Sequence, residues 1–99
     1  MSTIDYRHWS HRAADWAADY HENLATRPVR AQTQPGEIAL QIAENPPESP
    51  QSMETIFADF EEIIPGGMTH WQHPRFFAYF NSNAAAPSVL AEFLTSAIA

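Results

Sequence analysis

Ninety-nine residues allow one small domain with a modest core, and a hydrophobic content of 44% argues against wholesale disorder. A net charge of −7 repels phosphate backbones and anionic lipid, which argues against nucleic acid and membrane partners. Cysteine is absent, which excludes disulfides and thiolate metal sites; no apolar run approaches the ~20 residues of a bilayer span, and Met1 to Asp5 lacks the basic start of a secretion signal, which points to the cytoplasm.

The first element in chain order is an amphipathic helix from residue 2 to about residue 24. Ser2 caps it, with Asp5 three positions on as a short-acid variant of the capping box. Tyr6, Trp9, Ala13, Trp16, Ala17, Tyr20 and Leu24 recur at steps of three, four and seven and form one apolar stripe. Such a stripe is core, interface or cofactor cradle. Its two tryptophans and two tyrosines are more than a short chain easily covers, which favours an interface with another chain or domain. Thr26 to Gln34 is expected to be extended, because Pro28 and Pro35 disfavour helix just before them. A short helical turn follows over Gly36 to Ala43, with Ile38, Leu40 and Ile42 as its apolar members. Glu44 to Pro50 reads as a polar, proline-rich connector.

Ser52 caps a second helix, in which Met53, Ile56, Phe57, Phe60, Ile63 and Ile64 keep the 3.6-residue period until Pro65-Gly66-Gly67 stops it. Glu61 and Glu62 sit near its C-terminus, where the helix dipole disfavours anions. Residues 68–86 form a loop containing the aromatic run Arg75-Phe76-Phe77-Ala78-Tyr79-Phe80. A loop this dense in rings either lines a site or is a buried aromatic strand. Pro87 suits the first turn of a third helix, with Val89, Leu90, Phe93, Leu94 and Ile98 on its apolar face. That helix reaches Ala99 with no stop signal, which suggests a cut chain or an N-terminal piece. The expected fold is therefore mainly α, with about three helices joined by proline-rich extended connectors.

Two features bear on chemistry. The five cations are Arg7, Arg12, Arg27, Arg30 and Arg75, and there is no lysine, so chemistry needing a side-chain amine must be completed elsewhere. His8 and His11, and again His70 and His73, are spaced by three. Neither pair has a third ligand at a recognisable spacing, so hydrogen-bonded or solvated histidines are the expectation over a metal site.

Thr69-His70-Trp71, then His73-Pro74-Arg75-Phe76-Phe77-Ala78-Tyr79-Phe80, then Pro87-Ser88-Val89-Leu90-Ala91-Glu92, resembles the group II pyridoxal-phosphate decarboxylases. The aromatic-L-amino-acid decarboxylases, including the tyrosine, tryptophan and DOPA enzymes, are nearest in appearance. The early helix, the extended stretch and the Ile63-Ile64-Pro65-Gly66 turn fit the same family, so the resemblance covers essentially the whole chain. It implies that residues 1–99 are the N-terminal helical segment of a fold-type I enzyme. In relatives that segment lies like a clasp across the partner subunit of a homodimer, so the resemblance implies the same role here, with the catalytic, cofactor-binding domain absent from this chain. It also implies pyridoxal 5'-phosphate as the cofactor of the full-length enzyme and an aromatic L-amino acid as substrate. With no lysine to hold the cofactor, the isolated chain is expected to be inactive. The substrate-pocket residues carried over are Trp71, Tyr79, Phe80 and the hydroxyl residue Ser82; no catalytic, cofactor-binding or metal residue is assigned.

Two departures stand out: many relatives have proline where this chain has Asn81, and Ala84-Ala85-Ala86 is smaller than usual. Some family members release an aldehyde and others take acidic substrates such as glutamate; the residues that separate these lie mostly downstream. From a different class, a stand-alone acidic helical interaction module is the alternative, and a small metal-binding protein a more distant one.

Overall fold

The structure, a computed structural model, describes residues 1–80 and 84–99. Over these residues the chain is helical with irregular connectors, and no strand is present among them. Helix α1 spans Thr3–Asn23. Ser2 Oγ accepts the Asp5 N–H at 3.1 Å and donates to Asp5 Oδ2 at 2.6 Å. The aspartate thus closes on the capping hydroxyl, a short-acid form of the capping box. The side-chain bond from Ser2, then the bond to its backbone, hold the Asp5 carboxyl below the usual carboxylate range. A 3-10 turn over Leu24–Thr26 continues α1, and Leu24 is buried.

Helix α2 spans Met53–Ile63. Ser52 Oγ accepts the Thr55 N–H at 3.2 Å, and Pro65–Gly67 closes the element as a 3-10 turn. The face carrying Met53, Phe57, Phe60 and Ile63 is half-buried, and it is turned toward α1. The Trp9 ring lies 5.5 Å from Phe57, and Trp16 meets Phe60 edge-on at 4.8 Å while stacking on Tyr20 at 5.2 Å. The aromatic stripe of α1, expected to await another chain, is therefore covered in part by α2 of its own chain. The long connector between the two helices makes this return possible. Arg12 bridges to Glu61 at 3.3 Å, with its guanidinium 5.4 Å from the Phe57 ring. An exposed pair of this kind contributes roughly 0–1 kcal/mol.

In the connector, Arg27 adopts φ −86° and ψ 154°, as expected of an extended stretch. The turn after it is shorter than its periodicity suggested. Gly36, at φ 84°, opens it, Leu40 N–H bonds back to the Gly36 carbonyl at 3.1 Å, and Ala39–Gln41 is a single 3-10 turn. Ile38 packs on Gly67, where an added Cβ would stand 2.7 Å from Ile38 Cγ1. Leu40 and Ile42 remain exposed.

Residues 71–75 form turns, and of the following aromatic run Phe76 is half-buried while Phe77, Tyr79 and Phe80 are exposed. The run is not a buried strand. Helix α3 spans Ala86–Ile98, with Pro87 in its first turn, and Val89, Leu90, Phe93, Leu94 and Ile98 are all exposed. Between α3 and the alanine face of α1 runs an apolar groove. Two adjoining hollows of about 300 and 490 Å³ share Ala14, Ala17, Val89 and Leu90. Among the described residues, no helix is long and apolar enough to cross a membrane.

The described chain leaves 8306 Å² accessible, against about 5,700 Å² for a folded monomer of its mass. Its radius of gyration is 15.7 Å, where roughly 12.6 Å is usual for this length. The chain does not cover its own apolar surface: among the described residues the α3 face and the rings of Phe77, Tyr79 and Phe80 stay exposed, while the tryptophan stripe is partly covered.

Candidate functional site

The polar core of the structure is the junction between the C-terminal end of α1, the extended segment after it and the loop that begins at Met68. His70 and His73 are both buried there, each 5% exposed. Tyr20 Oη lies 2.8 Å from His70 Nδ1. His70 also bonds the backbone of Pro65, which has only a carbonyl to offer. His70 therefore donates through Nε2, and Nδ1 accepts the Tyr20 hydroxyl. Its backbone N–H donates to the Val29 carbonyl at 2.7 Å. His73 Nδ1 accepts the Arg75 N–H at 3.0 Å, so its proton sits on Nε2, which donates to the Arg27 carbonyl at 2.9 Å. The Arg27 guanidinium lies 5.5 Å from the Tyr20 ring and closes the circuit.

His70 and Tyr20 are both held neutral in this junction. Burial, then the nearby Arg27, push the His70 pKa down, with a smaller push from His73, against the bond to Pro65. Burial raises the pKa of Tyr20, and Arg27 opposes it. His70 thus resists protonation and Tyr20 resists ionisation, so their hydrogen bond joins neutral groups.

Trp71 stands between the two anchored histidines and is half exposed. Its ring stacks with Phe76 at 6.2 Å and meets Tyr79 at 5.9 Å, and Phe76 and Tyr79 are 6.0 Å apart. The three rings form an open aromatic wall. Tyr79 is held at φ 61°, in the left-handed region that a bulky residue rarely adopts. Gln72 Oε1 accepts the Ala84 N–H at 3.1 Å and ties the start of α3 to the same loop.

Of the four pocket residues read from the sequence, Trp71 and Tyr79 are brought together. Phe80 is fully exposed and joins no ring contact among the described residues. Ser82, with the neighbouring Asn81, lies outside the described residues. Phe76 completes the wall and was missed; nothing in its spacing separates it from Phe77. Tyr20 was read only as a member of the apolar stripe. The spacing of His70 and His73, weighed as a metal pair, instead places both rings inward around an outward tryptophan. Among the described residues, no group of three His, Asp or Glu is placed to hold a metal.

Residues 35–99 match the pyridoxal-dependent decarboxylase conserved domain. A tyrosine decarboxylase of Papaver somniferum is 39% identical over 92 residues, covering 93% of this chain and 18% of that protein. The crystal structure of Catharanthus roseus tryptophan decarboxylase in complex with L-tryptophan superposes with a TM-score of 0.87 at 33% identity, covering 99% of this chain and 20% of that one. The crystal structure of Rhodiola rosea 4-hydroxyphenylacetaldehyde synthase superposes with a TM-score of 0.89 at 35% identity, again over 99% of this chain and 21% of that one. The chain spans about a fifth of the length of these relatives. With the matched domain covering residues 35–99, the chain belongs to the pyridoxal-dependent decarboxylase family.

Proposed function

We propose that the chain is the N-terminal segment of a pyridoxal-phosphate-dependent enzyme that releases carbon dioxide from an aromatic L-amino acid. The observation that carries this reading is the open wall of Trp71, Phe76 and Tyr79, built within residues that match the family. An aromatic wall accepts an aromatic side chain and keeps water from the reacting centre. In this reading Trp71, Tyr79, Phe80 and Ser82 line part of the substrate pocket, and the exposed Phe80 ring is covered by the rest of the protein.

Pyridoxal phosphate, when bound, supplies the ring that accepts the electrons left behind by departing carbon dioxide. The residues here do not fit a covalent hold on it, because their cations are five arginines and no lysine. The anchor belongs outside this segment, and no chemical step is assigned to it. The second contribution is to a homodimer. The exposed apolar face of α3 and its groove with α1 favour that role over the tryptophan stripe, which α2 partly covers.

The test uses the full-length protein that carries this segment, supplied with pyridoxal phosphate. The expected result is a visible cofactor band and carbon dioxide release from at least one of DOPA, tyrosine and tryptophan in preference to glutamate. Assaying amine against aldehyde product separates the two reaction branches. Trp71→Ala should raise KM for the aromatic substrate. A protein that binds no cofactor and releases no carbon dioxide would refute the proposal and leave an acidic helical interaction module.

A further inference from the structure

The wall residue Trp71 has no rigid element of its own; it sits in a loop, and loops place side chains poorly unless their backbone is pinned. Here the pins are on either side of it. His70 is fixed by three bonds, to Tyr20, Val29 and Pro65. His73 is fixed through both ring nitrogens, to Arg27 and Arg75. Of these partners, Val29, Arg27 and Arg75 act through the backbone and belong to connectors, and Pro65 acts through the backbone from the 3-10 turn that closes α2. Tyr20 alone among them acts through its side chain and belongs to a long helix, where its ring is braced by stacking on Trp16 at 5.2 Å.

We infer that Tyr20 is a positioning residue for the substrate pocket, acting through its hydroxyl on His70 Nδ1 to fix the backbone that carries Trp71. This rests on the reading of Trp71 as a pocket residue. The hydroxyl references the loop to α1, so the distance of the aromatic wall from the reacting centre is set by a helix and not by the loop itself. Tyr20 touches no substrate. Its effect is on how well the ring is placed for the aromatic side chain, which is felt in binding before it is felt in chemistry.

The test is Tyr20→Phe in the full-length enzyme loaded with pyridoxal phosphate. It keeps the ring, its stacking on Trp16 and its contact with Arg27. The expected outcome is a rise in KM for the aromatic amino acid turned over of roughly three- to tenfold, the size set by one ordinary hydrogen bond. The kcat should stay within about twofold of the parent's, because only uniform binding is lost. His70→Asn, whose amide oxygen stands near the Nδ1 position, should hold KM closer to the parent's than His70→Leu does. A hydroxyl with only a structural role would lower the unfolding temperature and leave KM in place. An active parent in which Trp71→Ala raises KM, while Tyr20→Phe and both His70 variants leave it within twofold, overturns this inference alone. A parent that releases no carbon dioxide overturns the proposed function and this inference together.

Discussion

Replacing Trp16 with alanine separates two roles for the stripe on α1. The indole stacks on Tyr20 and meets Phe60 edge-on, and most of its surface is covered. Taking about 150 Å² of covered ring at ~25 cal/mol per Å² gives about 4 kcal/mol. The burial that alanine retains, and the compactness of real unfolded chains, reduce this to about 2–3 kcal/mol. The loss falls on the contact between α1 and α2, so it should appear as local opening rather than as global unfolding. At ~1.4 kcal/mol per factor of ten, amide hydrogen exchange along α2 should accelerate by about 30- to 140-fold. The assay is exchange measured by mass spectrometry on the full-length protein, with peptides covering residues 53–64, beside sedimentation of the same sample. If exchange in α2 is unchanged while the subunits dissociate, the indole seals a contact between chains and the reasoning fails.

Three further outcomes follow from the structure. Because the His70 pKa is depressed in the folded state, its contribution to stability is present above the unfolded value near 6.5 and is lost as pH falls from there toward the folded-state value; exchange protection of residues 68–76 should decline over that range, and His70→Asn should abolish the decline. Gly67→Ala drives a Cβ to 2.7 Å from Ile38 Cγ1 and should cost about 1–3 kcal/mol, measured by thermal unfolding, with Ile38→Ala in the same chain restoring part of the loss. Phe93→Asp on α3 should weaken subunit association in the full-length protein by sedimentation, without changing exchange along α2; an undisturbed association constant would remove α3 from the dimer contact.

The helices were legible in the sequence because their signals are local. Ser2 and Ser52 both cap as expected, and Pro65 and Gly66 end α2 where periodicity stops. What a periodic face packs against is not local information. The stripe through Trp9, Trp16 and Tyr20 declared that it needed cover, but not that Phe57 and Phe60 would supply it. Ile38, Leu40 and Ile42 suggested a helical turn, yet only Ile38 found a neighbour, at Gly67, and the turn stayed short. Within the site, the family pattern brought out Trp71 and Tyr79, and their rings meet. The roles of His70 and His73 were hidden because a spacing of three in a loop carries no fixed geometry. Only the path of residues 27–29 beside the loop turns both rings inward.

The backbone of Tyr79 sets two kinds of selection against each other. At φ 61° an L-residue with a large side chain bears a conformational cost of about 1–2 kcal/mol that glycine would not. A library of variants screened for heat resistance should therefore recover glycine or asparagine at position 79. A library screened for turnover of an aromatic substrate should discard them, because the ring that meets Trp71 and Phe76 goes with the strain. Sequencing the survivors of both screens would show whether the protein tolerates its least comfortable residue because of the ring that residue carries.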